Sequence, residues 1–309
     1  MKKYSRVIAL VLAMALMLVG CGESAPTGGE GTKPSVIVPT TPPVVTPQIE
    51  APEAAKDAGY TSLVFYDDFD DPSTVDWEGT GEPGYKWYID RPFGWESLQD
   101  GDVVIEDSIA TIAPQKSCAN WGISTYSAKG DTGAAWTYAY FEARIRINTD
   151  ITKDDLTEKG QPAFWSFSKD HTLRRDEGRW GEIDFFEVTF EADGTFNNTL
   201  VTSMHDSRVA DGKQENLSNT NNIHPYFVSD DWQTIGCLWT PGSVSWYLDG
   251  GFISRTTYSA DGMPDPASST NQEVGCFSIL DQEEMLVILG SGPCWPMEVD
   301  WVRVWQAEK

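Results

Sequence analysis

Three carboxylates fall within six residues of an otherwise apolar, β-prone run, Gly181-Glu182-Ile183-Asp184-Phe185-Phe186-Glu187-Val188. Ile, Phe and Val at this density predict a strand rather than a helix or loop. A strand buried on both faces does not tolerate three acids, because burying unpartnered charge is costly. The chain must therefore fold so that this strand packs one face and leaves the other where carboxylates can stand. Side chains alternate along a strand, so Glu182 and Asp184 share a face, roughly 6–7 Å apart along the chain. Trp180 shares it too. Strict alternation sends Glu187 to the other face. A β-bulge, which inserts one residue, returns it to the face of Glu182.

Two Glu residues flanking an Asp on one face suit cleavage of a glycosidic bond. One carboxylate attacks the sugar carbon; the other donates a proton to the leaving oxygen and then activates water. Asp184 would hydrogen-bond the nucleophile and shape its ionisation. A solvated acidic strand face and a calcium site are the other arrangements the same pattern permits.

The run Gly181 to Glu187 resembles the catalytic signature of glycoside hydrolase family 16 in its β-bulge form, E-x-D-x-x-E, which includes laminarinases, agarases and carrageenases. Other segments match that family in order: Phe65-Tyr66-Asp67-Asp68-Phe69-Asp70, Tyr138 to Arg144, Pro162-Ala163-Phe164-Trp165, Trp239-Thr240-Pro241, Trp246-Tyr247-Leu248-Asp249-Gly250 and Val299 to Trp305. The resemblance spans roughly residue 60 to the end. It implies an all-β jelly roll, a concanavalin A-like sandwich of two curved antiparallel sheets with a concave substrate cleft. It also implies Glu182 as nucleophile, Asp184 as its helper, Glu187 as acid/base, and retention of anomeric configuration.

Residues 1–20 read as a signal peptide. Lys2, Lys3 and Arg6 precede the apolar run Val7 to Val19, which is too short for a spanning helix. Leu18-Val19-Gly20-Cys21 looks like a bacterial lipobox, which implies lipid on Cys21 and membrane attachment from outside the cytoplasm. An ordinary secretory signal is the alternative. Residues 21–58 are Pro-, Gly- and Thr-rich and predict a stalk with no core of its own. Residues 59–309 are long enough for one large core and carry no repeat. Short β runs recur there: Leu63 to Tyr66, Val103 to Ile105, Tyr138 to Ile147, Gln161 to Phe167, Glu182 to Phe190, Thr199 to His205, Trp232 to Trp239, Val244 to Leu248, Met285 to Leu289 and Glu298 to Trp305. Turn signals separate them, which predicts an all-β sandwich. Asp249-Gly250 predicts a tight hairpin.

Tyr140, Glu142, Arg144 and Arg146 alternate with Phe141, Ala143, Ile145 and Ile147, so that strand has one core face and one wet face. The resemblance assigns Glu142 and Arg144 to the cleft; an exposed strand with a cross-strand ion pair is the alternative. Among 13 Trp, Trp180 and Trp165 are the cleft candidates, because aromatic faces stack on sugar rings. The others are expected mainly in the core. Ser168 to Gly178 and Asp206 to Pro225 are polar and predict rim loops. His205 ends a β run and matches a histidine found in the family's cleft. His171, His205 and His224 show no zinc spacing. The resemblance also suggests a structural Ca²⁺ near Asp68 and Asp300, with no cofactor required for the reaction. After Cys21, four cysteines remain, Cys118, Cys237, Cys276 and Cys294. They allow two disulfides in three connectivities, or free buried thiols.

The net charge of −25 repels nucleic acid and anionic surfaces. It favours a neutral polysaccharide over a heavily sulfated one. The expected activity is an endo-acting retaining hydrolase of a β-1,3- or mixed-linkage β-glucan, in a monomer. The alternatives are hydrolysis of agar- or carrageenan-type galactans, and a non-catalytic surface glycan-binding protein of the same fold.

Overall fold

The computed structural model describes residues 49–90, 98, 101–112, 121–147, 162–174, 178–190, 196–210, 213–224, 231–258, 272–273, 279–291 and 296–308. The expected signal peptide (1–20), Cys21, the stalk as far as residue 48, and Cys118, Cys276 and Cys294 lie outside the described residues.

Two large sheets carry the fold. One has eight strands in the order β16 (Gly251–Thr257), β15 (Ser243–Leu248), β14 (Gln233–Thr240), β9 (Ala139–Ile147), β19 (Met297–Gln306), β5 (Ile109–Ile112) and β4 (Val103–Glu106), with β1 (Ser62–Asp67) also on β19. The other has nine, in the order β17 (Gln272–Glu273), β13 (Lys213–His224), β12 (Phe196–Ala210), β11 (Gly178–Phe190), β10 (Pro162–Ser168), β18 (Met285–Ser291), β6 (Trp121–Ser124), β3 (Trp87–Tyr88) and β2 (Val75–Asp76). All pairings are antiparallel except that of β2 with β3. Among the described residues there are also a small hairpin, β7 (Tyr126–Ser127) and β8 (Thr132–Gly133), two short α-helices, α1 (Glu53–Asp57) and α2 (Lys169–Arg174), and two 3₁₀ turns. This is the expected all-β sandwich, and all ten expected β runs are strands.

The core lies between the sheets, where alternation turns the apolar halves of the strands inward. Phe141, Ala143 and Ile145 of β9, Cys237 and Trp239 of β14, and Trp246 of β15 meet Ile183, Phe185 and Phe186 of β11 there. The Phe141 and Phe185 rings stack across the gap at 4.7 Å. Cys237 is a free, fully buried thiol in this layer. The two-residue Asp249-Gly250 link between β15 and β16 has φ of 49° and 76°, the left-handed pair that a tight hairpin turn demands.

The opposite face of the eight-stranded sheet is covered in part by the N-terminal segment. Ala51, Ala55 and Tyr60 pack on Tyr140, Leu238, Tyr247 and Trp305. The compact unit accordingly begins at Ile49. Residues 49–58, expected within the stalk, are ordered because Ala51 and Ala55 find an apolar surface to bury against. The start of the folded domain moves from residue 59 to Ile49.

The described residues of the two expected rim loops are regular structure. Lys169–Arg174 within the first is helix α2. The second runs through the ends of β12 and β13, paired from Leu200↔His224 to Ala210↔Lys213. Its Asn, Ser and Thr residues satisfy a ladder as well as they would a loop, so polarity alone misled the reading.

Candidate active site

The predicted bulge sits on β11. Against β12, Asp184 faces Ser203 and Glu187 faces Val201, three residues on one strand against two on the other. Against β10, Asp184 faces Trp165 and Phe186 faces Phe164, which leaves Phe185 as the extra residue. Ile183, Phe185, Phe186 and Val188 are all buried in the core. Glu182, Asp184 and Glu187 are thereby gathered on the face turned away from the other sheet. The bulge is wedged: Phe185 packs between Phe141 and Phe164, with centroids at 4.7 and 4.8 Å. Gly181 at the head of the segment is packed closely as well. A β-carbon there would stand 2.5 Å from Leu280 Cδ2, and its N–H donates to Ser168 Oγ at 2.7 Å.

Asp184 is buried, while Glu182 and Glu187 are half-buried. Burial pushes Glu182 well above the usual carboxylate range; the charges of Asp184 and Glu187 push it further, and His205 opposes them. Burial also pushes Asp184 up to about 7, against a hydrogen bond with Glu182 that favours its ionised form. Glu187 is pushed up to about 8, first by burial and then by the Asp184 charge, again with His205 opposing. Three carboxyls this close cannot all be ionised at neutral pH, so the trio holds protons there.

His205 stands across from Glu182 on β12, and its Nε2 lies 3.1 Å from Asp184 Oδ2. Sequence reading placed His205 in the cleft, and the structure brings it to the trio. Ligand-capable atoms of Glu182, Asp184 and His205 lie within 4.8 Å of one another. They are the residues among those described that could gather around a cation. Trp165 is half-buried and lies directly across from Asp184. Beside it, a β-carbon on Gly290 would be 3.5 Å from Trp165 Nε1.

Trp180 shares the face of Glu182, as expected, but it is not an open platform. It is buried, and the His171 ring from α2 stacks on it at 4.5 Å. The polar run Ser168 to Gly178 predicts a loop, and nothing in it signals that helix α2 covers Trp180. Glu142 and Arg144 are also corrected. They lie on β9, in the other sheet, on the face turned away from β11. Glu142 is buried there and accepts from Trp305 Nε1 at 3.0 Å. Arg144 pairs with Asp300 at 2.5 Å, beside the Trp232 ring. This is the cross-strand ion pair of the alternative reading. The face of β9 turned from the core is wet only in part: Tyr140 and Glu142 are buried, and Arg144 and Arg146 are half-exposed. Alternation alone does not say which sheet the strand joins.

Asp68 and Asp300 do not form a calcium cage among the described residues. The Tyr66 hydroxyl donates to Asp68, and Arg144 takes Asp300. The Arg303 guanidinium also lies in the field of both carboxylates. A calcium ion placed there would face two arginines, so these residues do not fit that role.

Ser203 and Val201, which stand directly across from Asp184 and Glu187, were not singled out from the sequence. Nothing in their own strands marks them; only the register between strands brings them there.

Kappa-carrageenase of Pseudoalteromonas carrageenovora is 29% identical to this chain over 150 residues, covering 46% of this chain and 36% of that protein. A glucan endo-1,3-beta-glucosidase of Cryptopygus antarcticus is 29% identical over 129 residues, covering 40% and 41%. The chain thus aligns with less than half the length of these curated relatives. The crystal structure of a beta-porphyranase from the human gut bacterium Bacteroides plebeius superposes with a TM-score of 0.54 at 14% identity, over 84% of this chain and 94% of that one; this likeness speaks for the fold. The family model for glycosyl hydrolases family 16 matches residues 95–281, which include the bulged strand and its three carboxylates. That match takes in more than half of the sequence, and the chain belongs to glycosyl hydrolases family 16.

Proposed function

We propose that this protein is an endo-acting glycoside hydrolase that retains anomeric configuration and cleaves a β-1,3- or mixed-linkage β-glucan. The observation that carries the reading is the bulge, which puts Glu182, Asp184 and Glu187 on one face while Glu187 is pushed up to about 8. A general acid must arrive protonated at working pH, and Glu187 meets that condition. Glu182 attacks the anomeric carbon as Glu187 gives its proton to the glycosidic oxygen. The leaving saccharide departs, and Glu182 holds the sugar as an ester. Glu187, now ionised, takes a proton from water, which attacks the same carbon and frees Glu182. For the first step Glu182 must be ionised. A proton shared with Asp184 allows that when it resides on Asp184, and His205 supports negative charge on the pair.

Charge supports a neutral polymer. Two cations of the catalytic sheet near β11 are matched by carboxylates, Arg179 by Asp206 and Lys169 by Glu284. Arg144 and Arg146 lie on the far face of the other sheet, paired with Asp300 and Glu298. A sulfated galactan is the second reading, favoured by the likeness to the carrageenase.

Product release from a panel of laminarin, mixed-linkage glucan, agar and carrageenan tests this, beside Glu182→Gln and Glu187→Gln. The expected result is oligosaccharides from a β-glucan, with the β-anomer formed first by NMR. Glu187→Gln should lower kcat by about 10²–10⁴-fold, and Glu182→Gln should abolish turnover. Release only from carrageenan would move the substrate to galactans. Binding without products in all three proteins would leave a glycan-capture role instead.

We also propose that Cys21 is lipidated after cleavage of residues 1–20 and holds the protein at an extracytoplasmic membrane surface, on the strength of Leu18-Val19-Gly20-Cys21 after an apolar run. Mass spectrometry of the mature N-terminus should find acyl groups on Cys21; an unmodified thiol there would remove the anchor.

A further inference from the structure

The carboxyl trio depends on a bulge, and the bulge has a contact that the proposed chemistry does not use. Trp246, on β15 of the opposite sheet, is fully buried. Its indole Nε1–H donates to the backbone carbonyl oxygen of Asp184 at 2.9 Å. Asp184 is the residue after which the β11 ladder shifts register on both sides. A side-chain donor reaching across a sandwich core to a strand carbonyl is unusual, because ladder partners normally satisfy strand carbonyls. Here the donor meets the chain where regular pairing breaks.

We infer that Trp246 is a positioning residue for the carboxyl trio: its indole N–H fixes the bulge, and through it the direction in which Glu187 points. The alternative to the bulge is a regular strand, and in that register Glu187 would turn toward the core. Stacking of Phe141 on Phe185 also ties the bulge to the second sheet, but a stacked ring is tolerant of sliding. A hydrogen bond in a dry core is directional, and an indole N–H left without an acceptor there is costly. Trp246 thus resists the one-residue slip that would dismantle the site. It touches none of the reacting atoms.

The inference rests on the trio being the working site, and its test separates the two. The ionisable groups around Asp184 and Glu187 are Glu182 on the same strand, His205 on β12, and Cys237 on β14 behind Asp184. Trp246→Phe keeps an aromatic ring and removes the N–H. β-(3-Benzothienyl)alanine at position 246 keeps the indole shape and puts sulfur where the N–H was, so it remains informative if Phe fails to fold. Trp239→Phe is the control: Trp239 is fully buried in the same core, and its Nε1–H donates to Tyr258 Oη at 3.3 Å, away from the bulge.

The readout that needs no substrate is ¹³C NMR titration of the Glu187 carboxyl in the full chain. Either change at position 246 should move its midpoint by about one pH unit toward the ordinary value, as a looser bulge lets solvent in. Trp239→Phe should leave it in place at a similar loss of thermal stability. On the cleaved polymer, the position-246 variants should lose about 10- to 100-fold in kcat, with KM within about twofold. An unmoved midpoint in a folded position-246 variant overturns the proposal, and so does an equal shift in Trp239→Phe. A wild-type chain that cleaves nothing overturns the hydrolase reading, and the titration then still decides the role of Trp246.

Discussion

Glu187 titrates far from where an unfolded chain would place it. Its carboxyl is pushed up to about 8 in the fold, while a free Glu sits near about 4.3. Between those values the folded state holds a proton that the unfolded state has released. The group therefore favours the fold only below the unfolded value, and stability falls as pH rises toward about 8. For one such proton the slope approaches ~1.4 kcal/mol per pH unit. Urea unfolding at pH 5 and pH 8 should show this decline, and Glu187→Gln should remove the share that Glu187 contributes beside Glu182 and Asp184. His205 works in the opposite sense, since its charge lowers both Glu182 and Glu187. His205→Gln should let both rise, so both limbs of the activity–pH profile should move to higher pH. A profile that keeps its limbs and loses only height would assign His205 to substrate contact instead.

At the scale of elements, the bulge was legible because three acids in an apolar strand leave few arrangements. Glu187 had to reach the face of Glu182, and one inserted residue is the smallest change that brings it there. The hairpin was legible for a similar reason. Asp249-Gly250 sits between two β runs, and both residues adopt the positive φ such a link needs. Open space surrounds Gly250, so Gly250→Ala should cost only the backbone strain, about 1 kcal/mol by equilibrium unfolding. Other features were hidden because they depend on partners. The alternation of β9 separated a core face from a polar one, but half of that polar face (Tyr140, Glu142) is buried, and Glu142 and Arg144 fell outside the cleft because it belongs to the other sheet. Trp180 kept its predicted parity with Glu182, yet six residues of helix put His171 over it. No pattern within β15 links Trp246 to Asp184, which is 62 residues earlier.

At the scale of the whole molecule, the fold class followed from recurring short β runs separated by turn signals, while the domain boundary did not. Pro-rich composition continues almost to Glu53, and a five-residue helix leaves little periodic signal. Its worth is contextual, in Ala51 and Ala55 packed against Tyr60, Tyr140 and Trp305. A chain starting at Ile49 should melt like the full protein. One starting at Tyr60 should lose about 1–3 kcal/mol and a corresponding few degrees of Tm by calorimetry. Equal melting of the two would make the helix a passenger. The same packing gives the domain a back and a front. Ile49 enters on the outer face of the eight-stranded sheet, and the carboxyl trio opens from the outer face of the nine-stranded one. Coupled to a sensor chip or bead through its N-terminal side, the protein would present its working surface to the flowing polymer, whereas random coupling through lysines would bury part of the population face down.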